Sequence, residues 1–208
     1  MPASLQITDA DLVANYIGQK AGGAAMQNFD DAGVTALATV VSDVIENFCH
    51  RRFKQEERTE QFNVRRLQKM LSVDAYPIDV SGGPVLELRE ALDRNFTNSS
   101  TVIPASQYYV DSDSGTILLD GCFRGGGGSI RLQWTGGLAA TTASLQTQAP
   151  DLVEAASMWV AELWDRRDTQ TVRAITGRTG RSFVSLSKPP PLVESILTQY
   201  RASRLTGV

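Results

Sequence analysis

The sequence predicts an α+β protein: an antiparallel α-helical bundle core, an inserted antiparallel β region, and an extended C-terminal arm ending in a short helix. Three observations predict it. Apolar stripes with helical spacing stand at about 31–52 and again from Pro150 onward. Between them, over about 56–137, short runs of β-branched and aromatic residues alternate with turn residues. After residue 167 the periodicity stops until three prolines introduce one more amphipathic stretch. These divide the chain into N-terminal helices of the core (1–55), a β-rich insertion (56–137), a late core helix (138–167) and a mobile basic segment with a C-terminal arm (168–208).

Each element has its own signal. Thr8 with Asp11 three residues later reads as a capping box; Leu12, Val13, Tyr16 and Ile17 share one face, and Gly18 ends the helix. In the next helix Val34, Leu37, Val41, Val44, Ile45 and Phe48 form the stripe, and Arg51 and Arg52 suit the negative pole of its dipole. Strands are expected at Thr59–Val64, Met70–Val73, Val85–Leu88, Tyr108–Val110, Thr116–Leu119 and Ile130–Trp134, with DSDSG and RGGGGS as turns. Leu152, Ala155, Ala156, Trp159, Val160 and Leu163 mark the late helix. Residues 168–188 read as exposed and irregular, and Leu192, Val193, Ile196, Leu197 and Tyr200 as the terminal helix.

Composition excludes several classes of function. No run approaches the roughly 18 consecutive apolar residues of a membrane helix, and the N-terminus lacks a basic-then-apolar signal, so neither membrane insertion nor secretion is expected. Two cysteines, Cys49 and Cys122, and one histidine, His50, are too few for a zinc site or a disulfide scaffold. His50 has no nucleophile motif beside it and reads as a helix-end residue. The RGGGGS run lacks the lysine and hydroxyl of a phosphate loop. Asp111, Asp113, Gly115 and Asp120 lack the terminal glutamate and flanking helices of a calcium loop. No cofactor, metal or catalytic residue is expected.

Charge supplies the positive signal. Residues 1–165 carry 12 Lys/Arg and 21 Asp/Glu, a balance of −9; residues 166–208 carry 8 and 2, a balance of +6. An acidic body with a basic tail implies an acidic partner for the tail, protein or nucleic acid. Val41, Val44 and Phe48, with Trp159 and Trp164, supply core or subunit-interface surface.

Several stretches occur in a telling order. ANYIG ends the first helix, and VSDVIENFCHRRF closes the second with an aromatic, a Cys and Arg. The hairpin YYVDSDSGTILL precedes IRLQWTGGL, and then come PDLVEAASMWVAELWDRR and PPPLVESILTQYRASR. In this order, across nearly the whole chain, they resemble the head–tail connector (adaptor) proteins of long-tailed bacteriophages. The family's smallest members are almost wholly helical, and the β region sets this chain with the longer ones. The resemblance implies a structural virion protein and not an enzyme: a homo-oligomeric ring, commonly of twelve copies, beneath the portal at the head–tail junction, made in the host cytoplasm. Such a ring extends the DNA channel, meets a stopper or tail-completion protein, and touches double-stranded DNA passively. On this reading Leu192, Val193, Ile196, Leu197 and Tyr200 anchor the arm in the portal, and Arg201 and Arg204 pair with its acidic groups. Deleting 189–208 is then expected to abolish docking and leave the protomer folded. Arg173, Arg178 and Arg181 are candidates for contact with DNA or an acidic partner. A stopper ring and a nucleic-acid-binding module using the basic tail are the alternatives.

Overall fold

A computed structural model describes residues 5–20, 31–64, 69–88, 102–120, 126–176 and 189–202. The chain is α+β and divides into two compact units: Met1–Arg51 with Thr141–Ala202, which is helical, and Arg52–Ala140, which is built of strands.

The helical unit holds α1 (Ala10–Lys20), α2 (Asp31–Cys49), α3 (Thr142–Gln148), α4 (Pro150–Thr176) and α5 (Pro191–Gln199). Helix α4 is its axis, because α1, α2, α3 and α5 all pack on it. Leu152, Ala155, Ala156, Trp159 and Val160 are buried as their spacing predicts, and Val153 and Ala161 on other faces are buried too. Ahead of α1, Leu5 and Ile7 are buried, and three hydrogen bonds fasten the backbone around them. The Ile7 N–H donates to Ser42 Oγ at 2.9 Å, Thr142 Oγ1 donates to the Gln6 carbonyl at 2.6 Å, and the Thr8 and Ser157 hydroxyls are 2.7 Å apart.

That fastening moves the predicted cap. Thr8 is turned into the core, and Asp9 caps α1 by accepting the Leu12 N–H at 2.9 Å. The helix runs past Gly18 to Lys20, two residues beyond its expected end. Helix α2 stops at Cys49 because His50 adopts a left-handed φ of 51°, and the Arg51 N–H returns to the Glu46 carbonyl at 3.1 Å. Arg51 and Arg52 therefore lie beyond the last turn and not within it. Helix α3 is a separate short helix within 138–167, where a single late core helix is expected; Thr141 and Ser144 form its reciprocal capping box. Helix α4 continues to Thr176, so residues 168–176 are helical where an irregular segment is expected.

Among the described residues, the strand unit contains two three-stranded antiparallel sheets. One has the order β1–β6–β3 (Glu56–Val64, Gly126–Gly136, Val85–Leu88); the other has β2–β5–β4 (Met70–Ser72, Thr116–Leu119, Tyr108–Asp111). Leu71, Ile117 and Leu119 from the second sheet share one core with Ile130, Leu132 and Trp134 from the first. All six strands stand where the β-branched runs predict, but β6 begins at Gly126 inside the glycine run, where Gly126 pairs with Val64. That run therefore belongs in part to a strand and not to a loop.

The WTGG stretch has a physical explanation in this unit. The Trp134 indole N–H donates to the Ala75 carbonyl at 3.1 Å and is buried. A side chain at Gly136 would strike that same carbonyl and the indole. Gly137, at φ +128°, would drive a Cβ into the Lys54 carbonyl. Only glycine fits at both places.

Candidate functional site

Pro191 opens α5 at a position where its fixed φ suits the first turn and its missing N–H leaves no bond unmade. The helix then faces two ways. Val193 and Leu197, four residues apart, are 1% and 0% exposed in the packing of α5 on α2 and α4. Leu192 is 60% exposed and Ile196 is half-buried.

The end of α5 is tied down by polar contacts. The Ala202 N–H donates to the Cys49 carbonyl at 2.8 Å, and the Cys49 thiol to the Leu197 carbonyl at 3.6 Å. Burial pushes the Cys49 thiol from 9.0 up to about 12, against the opposing pull of Arg51 and Arg201. The Tyr200 hydroxyl donates to Asp151 at the start of α4. Burial first, then the hydrogen bond and charge of Asp151, lift that phenol well above its usual 10. The Arg201 guanidinium lies 5.7 Å from the centroid of the Phe48 ring, a cation–π contact.

Helix α2 supplies a second surface. From Ala32 to Cys49 it is long and apolar enough to cross a membrane by length and composition, and only 39% of that window is buried. Its inward side carries Val34, Ala38, Val41, Ser42, Ile45, Glu46 and Cys49. Leu37, Val44 and Phe48 are half-buried, Val40 is 41% exposed, and Ala32 and Ala36 are exposed. Leu37, Val40, Val44 and Phe48 follow helical spacing, so an apolar stripe is left at the surface.

The predicted site residues separate accordingly. Val193, Leu197 and Tyr200 make contacts within the helical unit, whereas Leu192, Ile196 and Arg201 reach its surface. Deleting 189–208 would remove the buried side chains of Val193 and Leu197 from this unit, so the deletion is expected to cost stability as well as docking. Trp159 and Trp164, 2% and 8% exposed, are core residues of the surrounded helix α4. Of the two readings, core or interface, they take the first, and the exposed apolar surface lies on α2. The signal was the adjacent pair Val40-Val41, since one buried stripe needs only one of them. Arg173 sits on α4, and Arg178, Arg181 and Arg204 lie outside the described residues.

A shallow cleft of about 220 Å³ is lined by Glu57, Asp79, Gln133 and Trp134, among others. Asp79 there accepts bonds from the Ser81 N–H and hydroxyl, and these hold its carboxyl below the usual range. Among the described residues no group of three or more His, Cys, Asp or Glu is placed to hold a metal ion.

The model of the head completion protein family matches residues 7–203. The chain belongs to that family. Head completion proteins are structural components of phage-like particles, in agreement with the connector resemblance of the sequence. Solved structures share the fold at low identity. A chain in the neck of an empty GTA particle computed with C6 symmetry has a TM-score of 0.59 at 16% identity, covering 94% of this chain and 91% of that one. A chain from the virion of a native gene transfer agent (GTA) particle has 0.55 at 15%, covering 89% and 84%. A third, in the neck of the native particle computed with C12 symmetry, has 0.50 at 15%, covering 96% and 93%. No curated protein matches the chain.

Proposed function

We propose that this head completion protein is an adaptor protomer that forms a ring of twelve copies at the head–tail junction, docks beneath the portal and extends the DNA channel toward a stopper or tail-completion protein. The observation that carries this reading is the family match over residues 7–203. The fold shared with chains in particle necks computed with C6 and C12 symmetry supports a ring. The exposed stripe of α2 supports it physically, since a closed ring needs a heterologous surface on every copy.

In this reading the portal is met by the outward residues of α5: Leu192, Ile196 and Arg201, with Arg204 beyond them. Val193, Leu197 and Tyr200 hold the helix in place behind that surface. Double-stranded DNA passes without being read. Residues 1–51 and 141–165 carry ten Asp/Glu and two Lys/Arg, a balance that disfavours tight phosphate contact. Arg173, Arg178 and Arg181 are the candidates for contact with the DNA or with an acidic partner.

Native mass spectrometry of the protein, alone and mixed with its portal, tests the proposal. A species near twelve copies, or a monomer that assembles only on the portal, supports it. A ring that ignores the portal and binds the tail protein makes it a stopper. A monomer that ignores both and binds duplex DNA with steep salt dependence makes it a nucleic-acid-binding module.

A further inference from the structure

Among the described residues, the sheet β2–β5–β4 has an outer face that is covered at Thr116 and open at Leu118 and Tyr109. Leu71, Ile117, Leu119, Tyr108 and Val110 point to the core, so the alternate residues point away. On that outer face Met70 pairs with Leu118, and Leu118 pairs with Tyr109. Tyr109 is 63% exposed, the most exposed large apolar side chain among the described residues, and Leu118 is 42% exposed. Isolated apolar residues on a surface are ordinary, but this row spans all three strands in direct register, with Cβ atoms about 5 Å apart across each pair.

The rim of the row is acidic. Asp111 shares the face with Tyr109, Asp120 shares it with Leu118, and Asp113 is exposed in the turn between β4 and β5. Such a face fits a segment that carries apolar side chains among cations. This chain has one: residues 177–188, GRTGRSFVSLSK, contain Arg178, Arg181 and Lys188, no acid, and Phe183, Val184 and Leu186.

We propose that the outer face of β2–β5–β4, through Met70, Leu118 and Tyr109 with Asp111, Asp113 and Asp120 at its rim, receives residues 177–188 of a second copy of the chain. The inference rests on the ring reading and assigns one inter-protomer contact within it. A segment reaching in one direction from each copy to the next makes a heterologous contact, which closes a ring where the rotation between copies closes. The apolar row supplies the burial, and the three carboxylates select the basic segment and set its direction.

The test uses full-length chains in which Cys122→Ser removes one thiol, while Cys49 is buried. One variant adds Leu118→Cys and the other Ser185→Cys. The two are mixed under a mild oxidant, and the native mass of the mixture is measured in parallel. The expected product is a disulfide joining one copy of each variant, in excess of either homodimer. Asp111→Asn, Asp113→Asn and Asp120→Asn together should reduce its yield by roughly five- to tenfold at low salt, as expected for a few exposed charge pairs. A multi-copy assembly without that cross-link overturns the contact and leaves the ring standing. A chain carrying both cysteines that closes the disulfide within itself also overturns it, because the occupant is then its own segment. A protein that remains a monomer with its portal present overturns the contact and the ring reading together.

Discussion

Shortening one side chain should release α5 without unfolding the rest of the helical unit. A nine-residue helix does not persist alone in water, so α5 depends on its seat. Two fully buried apolar side chains, Val193 and Leu197, provide most of that seat, at about 1.5–3 kcal/mol each. Leu197→Ala removes one and leaves a cavity, at a cost of about 3 kcal/mol. The closed-to-open equilibrium of α5 should therefore rise about 100-fold. The reporter is Cys49, whose thiol lies under the helix, donates to the Leu197 carbonyl and is kept protonated by burial. In a Cys122→Ser background the rate of thiol labelling at Cys49 should rise by that factor. It should also depend only slightly on low denaturant, since lifting α5 exposes little surface. If the labelling rate is unchanged, or follows the full denaturant dependence of global unfolding, then α5 does not detach on its own and the reasoning fails.

Four further outcomes follow from the same geometry. Stability should fall between about pH 9 and 12: the unfolded chain loses the Cys49 proton near 9 while burial holds it to about 12 in the fold, so rising pH favours the unfolded state. Denaturant titrations should show that slope, Cys49→Ala should flatten it in part, and Tyr200, raised for the same first cause, adds to it at higher pH. Glu60 is raised from 4.5 mainly by burial and then by Asp74, so Glu60→Gln should gain stability relative to the parent as pH rises through the carboxylate range; a difference that does not change with pH contradicts this. Gly137→Ala forces a side chain to a φ of +128° against the Lys54 carbonyl and should cost about 3 kcal/mol by chemical denaturation, and a loss under 1 kcal/mol would mean that the backbone yields freely there. Val40→Asp leaves the protomer folded by circular dichroism and should abolish the multi-copy species in native mass spectra, because it places a charge in the exposed stripe of α2; an undiminished ring removes that stripe from the interface.

Much of this architecture was written locally in the chain. Period-3.6 stripes located α2 and the first part of α4, β-branched runs located all six strands, and Pro189-Pro190-Pro191 located the start of α5. These features depend on neighbours along the chain, where spacing alone sets which side chains share a face. The ordered motifs, ending with WTGG and the Pro-led helix, led to the connector resemblance that the family match agrees with.

Tertiary structure decided what depends on distant partners. Thr8 looks like a cap until Ser157, 149 residues away, takes its hydroxyl and leaves Asp9 to do the capping. The two tryptophans could serve an interface or a core on sequence grounds, and four helices packed around α4 made them core. The apolar residues of α5 shared one stripe in sequence, but packing on α2 and α4 turned Val193 and Leu197 inward and left Leu192 outside. The outward row of half-buried Met70 with exposed Leu118 and Tyr109 arose from strand register, which no single strand encodes. Periodicity specifies that a face is apolar; only the packed chain specifies whether that face is already covered.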